Sequence, residues 1–377
     1  MSTEFKEVFT TFENLTDPRR SRTRLHDLFE MVVVAVCATI AGSNSFTDIE
    51  RFGHERLEWL RTFLHLENGI PSHDTFGRVF ARLDPAGLAA CIQQWFADIG
   101  RALGDGIHID GKTVRGSFDT AAGQNPLHLV SAWASEARLT LGQIATDVKS
   151  NEITAIPLLL DLLDLKGHTV TIDAMGCQKE IAAKIVEREG DYLLALKDNH
   201  PSLSQAVEET FLEALASKTP PRDLRRHVEV ETNRGREERR EYYAIPAPRT
   251  LPGFDQWPGL ATLVMVIRSR VVDGKEAGHV TYFLSSLPPK VRRLAKLIRG
   301  HWSIENQLHW VLDVTFTEDA SRIRKDDAPQ TMAMLRRLAV SILSHDTWPR
   351  ETISGKRYRA ALSTDVLERI ILGFSRR

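Results

Sequence analysis

The chain has 377 residues, 42% hydrophobic and 26% charged, which excludes a disordered chain, a collagen-like chain and a coiled-coil rod. Lys+Arg 49 against Asp+Glu 50 leave a formal net charge of -1, so a nucleic-acid site has to come from local clustering rather than a basic surface overall. Cys37, Cys91 and Cys177 are too few and scattered for a disulfide framework or a metal knuckle, and read as small buried hydrophobes in a reducing cytosol. The acidic start MSTEFKEVFTTFENL lacks a basic region followed by an apolar run and does not read as a signal peptide. The most apolar run, Met31 to Ile40, has ten residues, whereas a membrane crossing needs roughly 20. The expectation is a cytoplasmic protein with no membrane partner.

At roughly 150 residues per domain the length suggests two to three domains. Residues 1–98 read as a small helical domain. Leu28 to Ile40 is a buried helix closed by Ala41-Gly42. Ser45 to Asp48 opens an amphipathic helix, Pro71-Ser72-His73-Asp74 turns into a third, and Pro85 starts a fourth. Such domains often bind DNA, which pattern alone does not show. From residue 99 to 216 the period changes to strands and helices in alternation. Gly106 to Asp110 reads as a short strand ending in a carboxylate, followed by strands at Leu127–Trp133 and Leu139–Ile144 and a helix from Asn151, its candidate N-cap. His168 to Asp173 is a second strand ending in Asp, then come a helix from Gln178 and a strand at Tyr192–Leu196. Residues 217–288 read as a β-rich insertion of two hairpins, turning at Asn233-Arg234-Gly235 and Asp273-Gly274. Residues 289–377 return to helix. The fold class is therefore α/β, with a β-rich insertion and a preceding helical domain.

Two apolar strands tipped with Asp110 and Asp173 are unusual, because an unpaired buried carboxylate costs several kcal/mol or more. If the strands are parallel neighbours, both carboxylates emerge at one sheet edge, where such sheets bind ligands. Hard oxygen donors there suit Mg²⁺ or Mn²⁺. The plainer alternative is that each Asp caps the turn after it. A third acid, Glu305, shares a helical face with Ile298, Trp302, His309 and Leu312, which would turn it toward the protein and raise its pKa unless a cation sits beside it. Its plainer alternative is a pair with Arg299 or Arg322. His108, His128, His200 and His309 form no zinc spacing, and neither a phosphate-binding glycine loop nor a G-x-S-x-G elbow is present.

The segments HIDGKTVRGS with Asp110, TIDAMGCQ with Asp173, DYLLALKDNHP, and HWSIENQLHWVLDVTFTEDASRIR with Glu305 together resemble the DDE transposases of bacterial insertion sequences, most closely the H-repeat-associated (ISAs-type) group. DPRRSRTRLHD and GIPSHDTFGRVFARLDP resemble the helical region preceding the catalytic domain in that group. The likeness runs from about residue 8 to about residue 345. It implies a ribonuclease-H-like core interrupted by a β-rich insertion. Asp110, Asp173 and Glu305 would be both catalytic triad and metal ligands for two Mg²⁺ or Mn²⁺ ions. The implied reaction is endonucleolytic cutting at terminal inverted repeats and joining of 3′ ends to target DNA, by a homodimer on DNA. Two alternatives are an inactive or domesticated DNA-binding derivative and a structure-selective nuclease on the same core.

Related transposases often carry Tyr-x-x-Arg-x-x-x-Glu-x6-Lys around the Glu. Here those positions are Ile298, His301 and Leu312, so the phosphate-holding residues must be others. The candidates are Lys112, Arg115, Lys197, His301, Asn306, Arg322 and Arg324. Asp319 reads as a salt-bridge partner of Arg322, the alternative being a fourth acid near the metals. Arg19, Arg20, Arg22 and Arg24, four arginines in six residues, suit phosphate contact or a solvated linker. Residues 322–377 hold 12 Lys+Arg against 6 Asp+Glu, a second candidate DNA face.

Overall fold

The computed structural model describes residues 2–100, 102–118, 123, 125–146, 152–197, 199–219, 221–233, 236–272 and 275–376. The candidate cap Asn151 and the hairpin turns at Arg234-Gly235 and Asp273-Gly274 lie outside them.

The first part of the chain is helical: α1 (Ser2–Glu7), α2 (Leu28–Ile40), α3 (Phe46–Glu55), α4 (Leu57–Leu60), α5 (His73–Phe80) and α6 (Pro85–Ile99). Each long helix starts where sequence chemistry directs. Asp27 caps α2 by accepting from Glu30 N, and Ser45 with Asp48 forms a reciprocal capping box on α3. Asp84 caps α6, whose first residue is Pro85. Helix α2 is buried from Met31 through Ile40, apolar on every side, as a helix inside a core must be.

The middle of the chain builds β1 (Gly106–Val114), β2 (Leu127–Ala134), β3 (Leu139–Thr146), α7 (Glu152–Asp161), β4 (Thr169–Ile172), α8 (Lys179–Glu187), β5 (Asp191–Leu196) and α9 (Pro201–Ala216). Two hairpins follow, β6 (Arg225–Asn233) with β7 (Arg236–Pro246) and β8 (Thr262–Val272) with β9 (Lys275–Ser285). All nine strands lie in one sheet, in the order β3-β2-β1-β4-β5-β9-β8-β7-β6. The hairpin block thus extends the central sheet, because β9 pairs antiparallel with β5. The sequence reads β1 as ending at Asp110, but it continues to Val114. Antiparallel pairing with β2 runs from Ile107 to Val114, whereas parallel pairing with β4 stops at Ile109↔Ile172. Asp110 is therefore the first residue of β1 without a β4 partner, and Asp173 directly follows the end of β4.

The last part contains α10 (Val291–Ser303), a π-helical segment Ile304–His309, α11 (Trp310–Val314), α12 (Ala328–His345), α13 (Ile353–Leu362) and α14 (Thr364–Ser375). Helix α12 is buried along most of its length and packs on α2 and β3. No helix among the described residues is long and apolar enough to cross a membrane.

Four of the twelve cations in residues 322–377 are turned inward and are not available to DNA. Arg336, Arg337, Lys356 and Arg357 are all buried. Arg357 donates to Thr39 O, Ser43 O, Asn44 Oδ1 and Thr315 O, and Arg336 to Asn44 O and Ser321 Oγ. These side chains clamp the turn after α2 to the loop before α12, satisfying carbonyls that burial would otherwise leave unpaired. Arg337 Nη1 bonds Glu318 Oε1 at 2.9 Å, with both side chains buried. Truncating one partner leaves the other charge buried alone, at a cost of about 3–5 kcal/mol. Glu318→Ala should therefore lower the unfolding free energy measured by urea titration by that much, whereas a change below about 1 kcal/mol would mean the pair is not buried as described.

Candidate active site

Three elements converge on one cleft of about 1030 Å³, whose lining includes Asp110, Asp173 and Glu305. Their convergence has a visible cause. Thr171 Oγ1 on β4 hydrogen-bonds His108 Nδ1 on β1 at 2.7 Å and His301 Nδ1 on α10 at 2.9 Å, and His108 Nε2 reaches Ser135 Oγ at 2.8 Å. His108 and Thr171 each stand two residues before an Asp, on the same strand face, and His301 stands four before Glu305. Burial lowers the pKa of His108 to about 3 and of His301 to about 4. Both rings are thus neutral at pH 7. A hydroxyl both donates and accepts, so Thr171 Oγ1 is able to serve both Nδ1 atoms.

Asp110 is mostly buried. Burial pushes its carboxyl up to about 7, against a lowering hydrogen bond from Gly111 N, and the charges of Asp173, Glu152 and Glu305 push it further in the same direction. Its basic neighbour, His309 Nδ1 at 3.4 Å from Oδ2, is held down to about 3 by burial and by Arg337 and Lys112, and so stays neutral. His309 Nε2 is buried without a hydrogen-bond partner among the described residues. Asp173 does cap the following loop: its Oδ1 accepts from Met175 N at 3.1 Å and Gly176 N at 3.3 Å. Asn199 and His200 hold that loop through Ala174 O and Cys177 O, which gives the Asn-His-Pro segment its place.

Glu305 differs from its expected setting. The π-helical turn breaks the 3.6-residue period, so Ile304, Leu308 and Leu312 fill the buried seam and Glu305 is exposed at the cleft rim. Arg299 pairs with Glu231 at 2.5 Å instead of with Glu305. The donor set is made of carboxylate oxygens around a buried carboxyl with no charged counterpart, a chemistry that suits a hard divalent cation. Among the described residues no three His, Cys, Asp or Glu side chains stand close enough together to hold a metal ion. Glu305 stands exposed on the rim of the cleft.

The candidate phosphate contacts divide. Lys197, His301 and Asn306 line the cleft. His301, neutral and bonded to Thr171, offers no charge to a phosphate. Lys112 is buried away from the cleft, with Nζ 2.6 Å from Asp313 Oδ1 and 3.0 Å from Asp319 Oδ1. Arg115 is exposed and pairs with Asp319 at 3.4 Å, so Asp319 serves Lys112 and Arg115 rather than Arg322. Arg322 and Arg324 lie in a separate groove. Arg19 and Arg24 are engaged by Asp17.

Sequence reasoning missed the opposite wall. Arg240, Arg268 and Arg270 come from the hairpins and pair with Glu238, while Arg240 and Arg299 pair with Glu231. Arg240 and Arg268 also sit 5.7 and 5.3 Å from the Trp302 ring. The alternating charges of RREYY and IRSR were the available signal. Glu152 opens α7. It is buried, and its Oε1 lies 2.6 Å from His128 Nε2, whose Nδ1 meets Thr113 Oγ1 at 2.8 Å.

A model of the transposase DDE domain matches residues 101–342, and the DDE_Tnp_1-associated model matches residues 9–96. The chain belongs to the family of proteins carrying the transposase DDE domain. Within it, the "H repeat-associated putative transposase YhhI" of Escherichia coli (strain K12) is 37% identical, over 98% of this chain and 99% of that protein. The "Putative transposase YncI" of Escherichia coli O157:H7 is 38% identical, over 96% of this chain and 93% of that protein. A solved piggyBac transposase synaptic complex with hairpin DNA is 9% identical at a TM-score of 0.42, covering 100% of this chain and 80% of that one, too slight a likeness to assign a fold.

The raised Asp110 carboxyl makes a pH prediction. The folded group keeps its proton to about 7, the unfolded one only to about 4. Between those values the folded state binds more protons, so stability falls as pH rises through that window. In EDTA, Asp110→Asn should melt above wild type at pH 8 and alongside it at pH 4.5. Equal differences at both pH values would mean that Asp110 is not a repelled, buried carboxyl.

Proposed function

We propose that this protein is a DNA transposase that cuts at the terminal repeats of an insertion sequence and joins the 3′ ends to target DNA. The observation carrying this reading is that Asp110, Asp173 and Glu305 line one cleft, in a chain of the transposase DDE family. A ribonuclease-H-like core is supported by the parallel, adjacent placement of β1 and β4 at the centre of a mixed sheet. In this reading residues 1–98 are a helical DNA-end-binding domain, 99–216 the first part of the core, 217–288 the insertion, and 289–377 the Glu-bearing and closing helices.

Two Mg²⁺ or Mn²⁺ ions held by Asp110, Asp173 and Glu305 would supply activation of a water or 3′-hydroxyl and neutralisation of the leaving oxygen. The chain's own residues position the acids. Thr171 and the neutral His108 and His301 hold the strands and helix in register, while Asn199 and His200 fix the loop after Asp173. Lys197 and Asn306 stand where a DNA strand entering the cleft would pass. No Ser or Tyr nucleophile is required, since water or DNA itself attacks. Transposition brings two DNA ends together, so the working form is a homodimer on DNA.

The test is a plasmid carrying the gene with its native flanks, incubated in Mg²⁺ or Mn²⁺. Wild type should cut at discrete flanking sites and yield joined molecules, and Asp110→Ala should yield neither while remaining folded. Nicks without joined products would point to the nuclease alternative. Normal cleavage by Asp173→Ala would refute the triad.

A further inference from the structure

The arginines of the acid-bearing cleft are matched by Glu231 and Glu238. A second groove, of about 620 Å³, is built the opposite way. It lies where the helical region meets the loop before α12, lined by His73, Asp74 and Arg78 on α5 and by Arg322, Arg324 and Lys325. Arg78, Arg322 and Lys325 are exposed. None of Arg78, Arg322, Arg324 and Lys325 has a carboxylate partner among the described residues. Arg78 bonds only Thr75 Oγ1, and Arg324 bonds Gly116 O at 3.2 Å and stacks on Phe118 at 4.7 Å. The single acid in the lining, Asp74, stands 3.5 Å from His73 Nε2. Gathering four unpaired cations in one groove costs repulsion that a polyanion would relieve.

The groove is coupled to the strand of Asp110. After Val114, β1 passes into the turn Arg115–Ser117, and that turn packs against the loop carrying Arg322 and Arg324. A Cβ on Gly116 would come within 2.3 Å of Ser321 O, so the contact is backbone on backbone and tolerates only glycine. Six residues of chain separate Asp110 from Gly116, at most about 20 Å of strand.

We infer that this groove is a sequence-independent phosphate-binding site for double-stranded DNA, gripping the duplex outside the cleft that holds the acids. The inference rests on the transposase reading and adds to it the surface joining the helical region to the cleft. Arg78, Arg322 and Lys325 each contact phosphate, and Arg324 braces the loop on Gly116.

The probe is a fluorescent 30-base-pair duplex of mixed sequence in EDTA, with the full chain and no metal. The variant Arg78→Gln/Arg322→Gln/Lys325→Gln is compared with Lys166→Gln/Lys179→Gln/Lys184→Gln, which removes equal charge from another surface, and both are checked for an unchanged melting temperature. The groove variant should bind more weakly, and its plot of log affinity against log salt should be shallower than wild type by about three. The control variant should keep the wild-type slope. Wild-type binding with an unchanged slope in the groove variant overturns the groove assignment and leaves the transposase reading standing. No duplex binding by wild type at low salt overturns both.

Discussion

Thr171 occupies the point on which the candidate site depends. Its single hydroxyl links β1, β4 and α10, the three elements from which the acids extend, through two imidazoles that burial keeps neutral. Strand geometry carries that link forward, because residues two apart on a strand, or four apart on a helix, share a face. Fixing His108 and Thr171 against one another therefore directs Asp110 and Asp173 to one cleft, and His301 ties the helix that leads to Glu305 to the same point. Charged residues in these positions would repel or demand counterions. Neutral histidines supply hydrogen bonds without either cost, and Ser135 closes the far end of the chain of bonds.

The same region concentrates unfavourable electrostatics. Asp110 is buried, faces three other acids, and has a neutral histidine beside it. Groups held in such a state cluster at functional sites. The surrounding structure offsets the cost with contacts elsewhere, among them the buried arginines of α12 and α13, which bind the turn after α2 and the loop before α12. The helical region and the closing helices consequently share one hydrophobic core with the sheet, from Phe5 to Phe374. The hairpins complete the cleft from the other side by extending the sheet past β5, so their arginines face the acids without a separate docking surface.

Much of this was legible in the residues. Ser45 and Pro85 announce helix starts because capping is local chemistry, and the strands IHID and VTID announce themselves by an apolar run meeting a carboxylate. Three things were not legible. The continuation of β1 to Val114 depends on β2, a partner distant in sequence. The π-helical turn at Ile304–His309 leaves no mark on a 3.6-residue period, so Glu305 was assigned to the buried face it narrowly misses. The burial of Lys112, Arg336, Arg337 and Arg357 was hidden because a cation count cannot tell a solvated arginine from one that satisfies internal carbonyls. The link through Thr171 had a signal, a polar residue one repeat before each acid, which acquires meaning only once the three elements are neighbours.

The most direct measurement of the central claim is Mn²⁺ binding to the full chain without DNA, followed by electron paramagnetic resonance, for wild type, Asp110→Asn, Asp173→Asn and Glu305→Gln. If the three acids form one site, each substitution weakens binding, and Glu305→Gln does so although Glu305 lies on the rim. Undiminished binding in Glu305→Gln would contradict the account, because the π-helical element would then carry an acid that never joins the two on the strands.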